Sequence, residues 1–235
     1  MPIPQKLLQS ASMNRCTLRF SNERLEMFYG RYYLPTLRRQ SRIALLVGIT
    51  LYALYGCLDF LLVPPALRTQ VWDIRLAVIA VALAVFALSF HKIFARYNQA
   101  LLAMVGLVGG LGLILKMSLL PDFATVYLYA GLILITFWCH SVVDLRFIYA
   151  QTVTAILLIV FNIMFLWLRH MPVVTILSYD FFIISANLIG AFSSYMTEKQ
   201  RRVLFLREKE LDRERYLQRE RALHDNMTGC PIANC

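Results

Sequence analysis

Acidic residues and charge of either sign are scarce in this sequence, and their scarcity excludes an ordinary soluble domain. Asp and Glu number 14 among 235 residues, and charged residues make up 16% of the chain. Apolar residues make up 59%, whereas soluble domains contain about 45–50% apolar and about 25% charged residues. We therefore predict that most of the chain lies in a membrane.

Cysteine and histidine are too few and too scattered to build a disulfide framework or a zinc site. The five cysteines include no Cys-x-x-Cys pair, and the four histidines are not spaced as metal ligands. The sequence also lacks a phosphate-binding loop, paired accessible carboxylates and a nucleophile spaced with a base. It contains no recognisable active site, and we predict no cofactor and no metal for this chain.

Apolar runs of about 20 residues recur, and each is long enough to cross a hydrocarbon core about 30 Å thick. Because these runs are continuous and do not alternate with polar residues, they favour helices over a transmembrane barrel. We predict an all-α polytopic membrane protein with six transmembrane helices. The main alternative is five, because only His140, Asp144 and Arg146 divide the fourth run from the fifth. The predicted spans are Ile43–Val63, Leu76–Phe90, Ala100–Leu119, Phe123–Val143, Phe147–Leu168 and Val173–Tyr195.

Basic residues beside the spans predict the orientation of the chain. Counting Lys and Arg in alternate segments gives 20 on the side of the termini and four on the other side, which sum to the 24 in the sequence. Loops rich in Lys and Arg stay in the cytoplasm, so we expect both termini there. The even number of spans agrees with this, because it puts both termini on the same side of the membrane. The net charge of +10 then reflects contact with anionic lipid. We expect a lipid bilayer as partner and no nucleic acid.

Four segments follow from these patterns. Residues 1–42 form a basic, aromatic segment on the cytoplasmic side or in the membrane interface, and residues 43–195 form the six-helix domain. Residues 196–223 contain neither Gly nor Pro and many good helix formers, which predicts a charged helix that continues the sixth span. No heptad register is sustained along it. This helix is either a connector that pairs with a second copy or a solvated charged helix. Residues 224–235 complete the chain.

Among the ionisable residues inside the predicted spans or at their ends, four are the main candidates for function: Asp59, Arg75, Lys116 and Asp180. At 1.5 Å per residue and with alternating span directions, all four lie at a similar depth near the outer face. Such residues are costly in a bilayer and are candidates for function. We predict a polar layer with three possible roles. It is a sensory site for a small ligand from the periplasm, a switch that sets the packing of the sixth span, or a set of structural salt bridges.

Two further features of the spans concern packing and turns. Gly106 and Gly110 have the spacing that allows two membrane helices to approach closely, and a hinge or ligand cleft at these glycines is the alternative. His140 and Asp144 are expected to cap a tight turn between the fourth and fifth spans and not to bind a metal.

The sequence Ala-Leu-His-Asp-Asn-Met-Thr-Gly-Cys-Pro near the end of the chain resembles the opening of GGDEF diguanylate cyclase domains. Those domains begin Ala-x-x-Asp-x-Leu-Thr-Gly-Leu-x-Asn-Arg after a helical stalk, and Asp225, Thr228 and Gly229 stand at the matching positions. Ile232 and Ala233 occupy the positions of Asn and Arg, and we expect that residues 224–235 are the remnant of the start of such a domain, where the chain is cut off. The Gly-Gly-Asp/Glu-Glu-Phe signature does not occur in this sequence. The Mg and GTP of the reaction would belong to the missing domain.

The rest of the chain is similar to the membrane anchors of bacterial nucleotide cyclases. The resemblance implies a homodimer in the bacterial inner membrane and passage of a signal from the spans through the charged helix. Alternatives are the anchor of a class III adenylate cyclase, a freestanding membrane regulator and a small transporter. The similar stretches are Trp72-Asp73-Ile74-Arg75, Tyr129-Ala130-Gly131, Asn187-x-x-Gly190, Tyr195-x-x-Glu198 and Arg202-x-x-Phe205-Leu206. The implied signalling joint consists of Glu198, Arg202, Asp225, Thr228 and Gly229.

Overall fold

A computed structural model describes residues 12–228 of the chain, without the side chains of residue 62, residues 122–124 and residues 223–228. Every regular element in this part of the chain is helical, apart from an isolated antiparallel bridge between Met13 and Phe20. The prediction of an all-α fold is confirmed. The α-helices are α1 (Glu23–Leu54), α2 (Gly56–Leu62), α3 (Arg68–Leu88), α4 (Ile93–Leu119), α5 (Asp122–Phe137), α6 (Phe147–Asn162) and α7 (Val173–Thr228).

Among the described residues, six helical segments are long and apolar enough to cross a membrane, in agreement with the predicted count of six rather than five. Short π-helical turns, Trp138–Val142 and Ile163–Leu168, extend α5 and α6. The six segments are Glu23–Leu61, Pro65–Leu88, Ile93–Leu119, Thr125–Val142, Phe147–Leu168 and Val173–Ala222.

The helices and the predicted spans differ mainly at their starts. α1 begins at Glu23, well before the apolar run at Ile43, because Asn22 caps it: the Asn22 side-chain oxygen accepts a hydrogen bond from the Arg24 N–H at 3.0 Å. α3 and α4 also begin before the predicted spans: polar residues fill the first turn of α3, and Arg96, Asn98 and Gln99 precede Ala100 on α4. The apolar pattern therefore locates each helix but misses the first turns of α1, α3 and α4, whereas α6 and α7 begin at the predicted residues Phe147 and Val173.

The described residues divide into two compact units. The central unit comprises residues 33–196, and the terminal unit is built from the segments up to Tyr32 and from Thr197 onwards. α1 and α7 each contribute residues to both units. α7 is a single helix of 56 residues, so the apolar run of the sixth span and the charged segment 196–223 form one uninterrupted helix.

Within the central unit, α4 packs against α3, α5 and α6. Gly106 and Gly110 are buried on this helix. A Cβ at Gly106 would lie 2.6 Å from Cys139 Sγ, and a Cβ at Gly110 would collide with the Leu157 side chain. Close approach of the neighbouring segments to α4 thus depends on the absence of a side chain at both positions.

Candidate functional site

Three of the four ionisable residues of the predicted polar layer lie together, although they come from three different helices. Arg75 of α3 donates hydrogen bonds from Nε and Nη2 to Asp59 Oδ2 of α2, at 2.9 Å and 2.6 Å. Lys116 Nζ of α4 lies 3.8 Å from the same oxygen. We refer to Asp59, Arg75 and Lys116 as the charged cluster.

The charged cluster is fully buried and contains two positive charges but one negative charge. All three residues are 0% exposed, and two cationic side chains share one carboxylate. Removing an ion from water costs several kcal/mol unless a partner compensates for it. Asp59 Oδ1 and Lys116 Nζ have no hydrogen-bond partner among the described residues. The cluster therefore retains one unused acceptor and one unused cationic donor.

Tyr52 of α1 completes the surroundings of the charged cluster. Its backbone carbonyl accepts a hydrogen bond from Arg75 Nη1. The Arg75 guanidinium and the Lys116 ammonium lie 5.1 Å and 5.2 Å from the centre of its ring, within the range of cation–π attraction. The Tyr52 hydroxyl is buried and has no hydrogen-bond partner in the described part of the chain. Nothing in the sequence pattern had singled out this tyrosine.

Asp180 was expected in the same layer, but it lies in a separate contact. Its Oδ1 accepts a hydrogen bond from Asn162 Nδ2 at 2.9 Å, which joins α7 to the end of α6. Among the described side chains, no hydrogen bond or ion pair connects Asp180 to the charged cluster. The predicted group of four is thus divided into a cluster of three and an Asn162–Asp180 pair.

A cavity of about 120 Å³ lies beside Tyr52 and is lined by residues of α1, α3, α4 and α5. Three aromatic residues, Tyr52, Tyr55 and Trp138, contribute to its wall. Gly109 of α4 also lines it, and a Cβ at this position would meet no atom within 4 Å. Gly109 thus faces open space, unlike Gly106 and Gly110 on the same helix.

His140, which was expected to cap a turn, packs instead between helices. Its Nε2 lies 3.3 Å from Thr154 Oγ1 of α6. A Cβ at Gly190 of α7 would lie 2.8 Å from His140 Cδ2, so α7 reaches the ring only because residue 190 lacks a side chain.

The turn after the π-helical segment is formed by Asp144. Asp144 has a positive φ of 63°, and its Oδ2 accepts a hydrogen bond from the Tyr33 hydroxyl at 2.7 Å. Among the described residues there is no group of three or more His, Cys, Asp or Glu side chains that could hold a metal ion.

In the terminal unit, Arg202 occupies the centre of a second buried ionic group. It is 0% exposed and donates to Glu26 Oε2 at 2.7 Å and to Glu198 Oε1 at 3.0 Å. Its guanidinium lies 4.7 Å from the centre of the Tyr29 ring and 5.2 Å from that of Phe20. The resemblance to cyclases had indicated Glu198 and Arg202, whereas Glu26 was not anticipated.

The remaining residues of the implied signalling joint lie at the limit of the described chain. Asp225 and Thr228 fall within α7, but their side chains are not described, and Gly229 lies outside the described residues.

No protein-family model matches this sequence, and no curated protein matches it. The function is therefore inferred from the charged cluster, the cavity and α7, together with the resemblance of residues 222–231.

Proposed function

We propose that this chain is the membrane-embedded sensory and transducer module of a dimeric diguanylate cyclase in the bacterial inner membrane. The observation that carries the proposal is the continuity of α7. This one helix contains the apolar run of the sixth span, the charged segment, and Asp225 and Thr228 of the cyclase-like motif. A displacement of its apolar part is transmitted along the axis, because the backbone hydrogen bonds of the helix are unbroken.

The distribution of basic residues supports a cytoplasmic position for the charged part of α7 and for the N-terminal segment. A six-span topology would have both termini on the same side, and the segments assigned to that side contain 20 of the 24 Lys and Arg residues. A cytoplasmic end is where GTP is available to a cyclase. The match at Asp225, Thr228 and Gly229 favours a diguanylate cyclase over an adenylate cyclase.

The charged cluster offers a two-state element for such a module. Asp59 Oδ2 lies 2.6 Å from Arg75 and 3.8 Å from Lys116, so one carboxylate has two alternative cationic partners on different helices. Exchange of the closer partner would move α4 relative to α2 and α3. A ligand that prefers one arrangement by a few kcal/mol shifts the population between them. This is how binding near the cluster would alter the packing of the spans.

The test is to fuse a GGDEF catalytic domain after Gly229 and to measure cyclic di-GMP in membranes containing the fusion. Inserting one alanine after Arg213 rotates everything beyond it by about 100°, whereas inserting seven alanines restores nearly the original face, since an α-helix has about 3.6 residues per turn. We expect the single insertion to change the output about fivefold or more, a typical size for coupling between sites. The seven-residue insertion should leave the output nearly unchanged.

The outputs of the two insertion variants distinguish signal transduction through α7 from simple anchoring by α7. Sensitivity to the phase of the helix supports transduction through α7. Equal output from the parent fusion and both insertions would mean that α7 serves only as an anchor, and the transducer role would be wrong.

A further inference from the structure

An opening between α1 and α5 leads into the cavity of the central unit. Leu51 of α1 and Leu134 of α5 both line the cavity, and these side chains are 58% and 60% exposed. Leu51 lies about 12 Å along α1 from Ile43, where the apolar run begins, at a rise of 1.5 Å per residue. In a chain that crosses a bilayer, the opening therefore faces lipid tails and not water.

Two hydrogen bonds between the first and fourth of the apolar segments mark the ends of this opening. At one end, Trp138 Nε1 donates to the Ala44 carbonyl at 3.0 Å. At the other end, the Tyr55 hydroxyl donates to the Tyr127 carbonyl at 2.8 Å. The two bonds are eleven residues apart on each segment, which corresponds to about 16 Å along a helix axis. The opening is thus a slit that runs parallel to the helices, and we refer to it as the lateral slit.

The polar side chains of the cavity wall are not directed to an occupant. Of the three aromatic residues with a polar group, Trp138 and Tyr55 donate to the backbone carbonyls just described. The Tyr52 hydroxyl is buried and lies against Gly112, which does not line the cavity, because a Cβ at Gly112 would lie 3.4 Å from Tyr52 Oη. The wall therefore offers apolar surface alone, and such a wall favours hydrocarbon.

Gly109 forms the floor of the cavity. It is buried on α4, yet a Cβ at this position would meet no atom within 4 Å. The volume beside it is about 120 Å³. Since an engineered cavity of about 150 Å³ binds benzene, this volume encloses roughly five carbon atoms. A longer chain can enclose that part of its length in the cavity and continue along the lateral slit.

We infer that one acyl chain of a bilayer phospholipid lies along the lateral slit, with part of its length in the cavity and its head group outside. The chain is apolar, as the wall requires, and it is linear, as the length and direction of the slit require. It is also the solvent at the opening, so even weak binding fills the site by mass action. An empty cavity would forfeit the dispersion contacts of its lining. This inference concerns lipid binding and goes beyond the proposed cyclase output.

The experiment places the full chain in phosphatidylcholine nanodiscs that contain phosphatidylcholine with a photoreactive diazirine on one acyl chain. Irradiation forms a carbene that inserts into adjacent C–H bonds, and mass spectrometry of peptides locates the labelled residues. We expect labelling of Val105 and Ala82, which line the cavity but are only 8% and 6% exposed. Ile159, which is 58% exposed on α6, should be labelled by the surrounding lipid. Leu102, which is 0% exposed and does not line the cavity, should not be labelled.

Substitutions of Gly109 fill the cavity from its floor. Gly109→Leu should reduce the labelling of Val105 and Ala82 about tenfold, because its side chain takes up most of the cavity volume, and should leave that of Ile159 unchanged. Gly109→Ala should reduce it less, and it keeps the test valid if the leucine variant does not fold. Ala84→Leu is the matched control, because Ala84 is exposed on α3 and does not line the cavity.

The head group is tested separately. Phosphatidylglycerol with the same photoreactive chain should label Val105 to the same extent as phosphatidylcholine, because the wall has no polar side chain directed to an occupant. A preference of about fivefold or more for either lipid, the size expected for one hydrogen bond, would overturn binding through the chain alone.

Two other outcomes would overturn the site itself. Equal labelling of Val105 in the parent protein and in Gly109→Leu would mean that lipid reaches this residue by another route. Labelling of Ile159 without labelling of Val105 or Ala82 in the parent protein would mean that the cavity is empty or holds a molecule other than phospholipid. No cyclase output is measured, so either failure would leave the proposed transducer role unaffected.

Discussion

Arg75 directs both Nε and Nη2 to a single oxygen of Asp59, at 2.9 Å and 2.6 Å. The second carboxylate oxygen, Oδ1, has no hydrogen-bond partner in the described chain, although a carboxylate can accept several hydrogen bonds. Lys116 Nζ lies 3.8 Å from the oxygen that Arg75 already uses. Among the side chains that the structure describes, Asp59 is therefore the one anion paired with these two buried cations. We expect the stability of the central unit to depend more on Asp59 than on either cation.

The first prediction is that Asp59→Asn strongly destabilises the protein. The substitution leaves Arg75 and Lys116 buried without a counter-charge, and removing one partner of a buried ion pair costs about 3–5 kcal/mol. The free energy of unfolding in mixed micelles, followed by circular dichroism, measures the loss. Asp73→Asn is the matched control because Asp73 is exposed on α3, and exposed substitutions change stability by only about 0.5 kcal/mol. Similar losses in the two variants would contradict the role given to Asp59.

The opposite result is expected for Lys116. Lys116→Met removes an ammonium group that lacks a hydrogen-bond partner among the described residues and leaves a one-to-one pair between Asp59 and Arg75. Because the desolvation of a buried charge can exceed its Coulombic gain, replacement by a hydrophobic residue of similar volume is often neutral or stabilising by about 1–4 kcal/mol. The same unfolding measurement tests this. A loss as large as that of Asp59→Asn would show that Lys116 is required for pairing.

Two adjacent glycines of α4 should respond oppositely to the same substitution. A Cβ at Gly110 collides with Leu157, whereas a Cβ at Gly109 meets nothing within 4 Å. We expect Gly110→Ala to destabilise the protein by about 1–3 kcal/mol through overpacking. Gly109→Ala should be neutral or stabilising, since alanine favours a helix by about 1 kcal/mol over glycine. Thermal unfolding of the two variants side by side gives the difference, and equal melting temperatures would refute the packing described for α4.

Arg202 should control the local stability of the terminal unit. Arg202→Gln removes the charge-assisted hydrogen bonds to Glu26 and Glu198, each of which contributes about 1.5–3 kcal/mol. We expect faster hydrogen exchange at the backbone amides of residues 20–32, by about tenfold or more for a change of this size. Mass spectrometry of the intact protein in micelles after deuterium labelling and digestion detects it. Arg207→Gln, at an exposed position, serves as the control, and unchanged exchange in Arg202→Gln would be inconsistent with a structural role.

The charged cluster shows what sequence patterns can and cannot predict in a helical bundle. Rise per residue and alternating direction predicted a shared depth for Asp59, Arg75 and Lys116, and the structure brings these three side chains into contact. Depth does not determine which way a residue faces around its helix, and Asp180 consequently meets Asn162 instead. The uncharged members of the site, Tyr52 and Gly109, carry no signal that separates them from other apolar positions.

The sequence patterns also did not predict contacts between residues that are far apart along the chain. Glu26 and Arg202 are 176 residues apart, and the pairing depends on α1 beginning at Glu23. Asn22 followed by Glu23 and Glu26 is a helix-start pattern, and it could have extended α1 beyond its apolar run. Even so, that pattern does not predict the tertiary contact, in which the rings of Phe20, Tyr29 and Phe205 pack together and the Phe20 N–H donates a hydrogen bond to Glu26 Oε2 at 3.1 Å.

The proposed homodimer leads to the last prediction, which concerns the charged part of α7. Leu204 and Leu211 are 60% and 51% exposed, and because they are seven residues apart they lie on one face of the helix, as coiled-coil contacts do. In a chain whose native cysteines are replaced by alanine, Leu211→Cys should form a disulfide between two copies on mild oxidation. Tyr216→Cys, about 140° further around the helix, should not. Non-reducing electrophoresis distinguishes the two, and equal cross-linking at both positions, or none at either, would rule out a dimer held by this face.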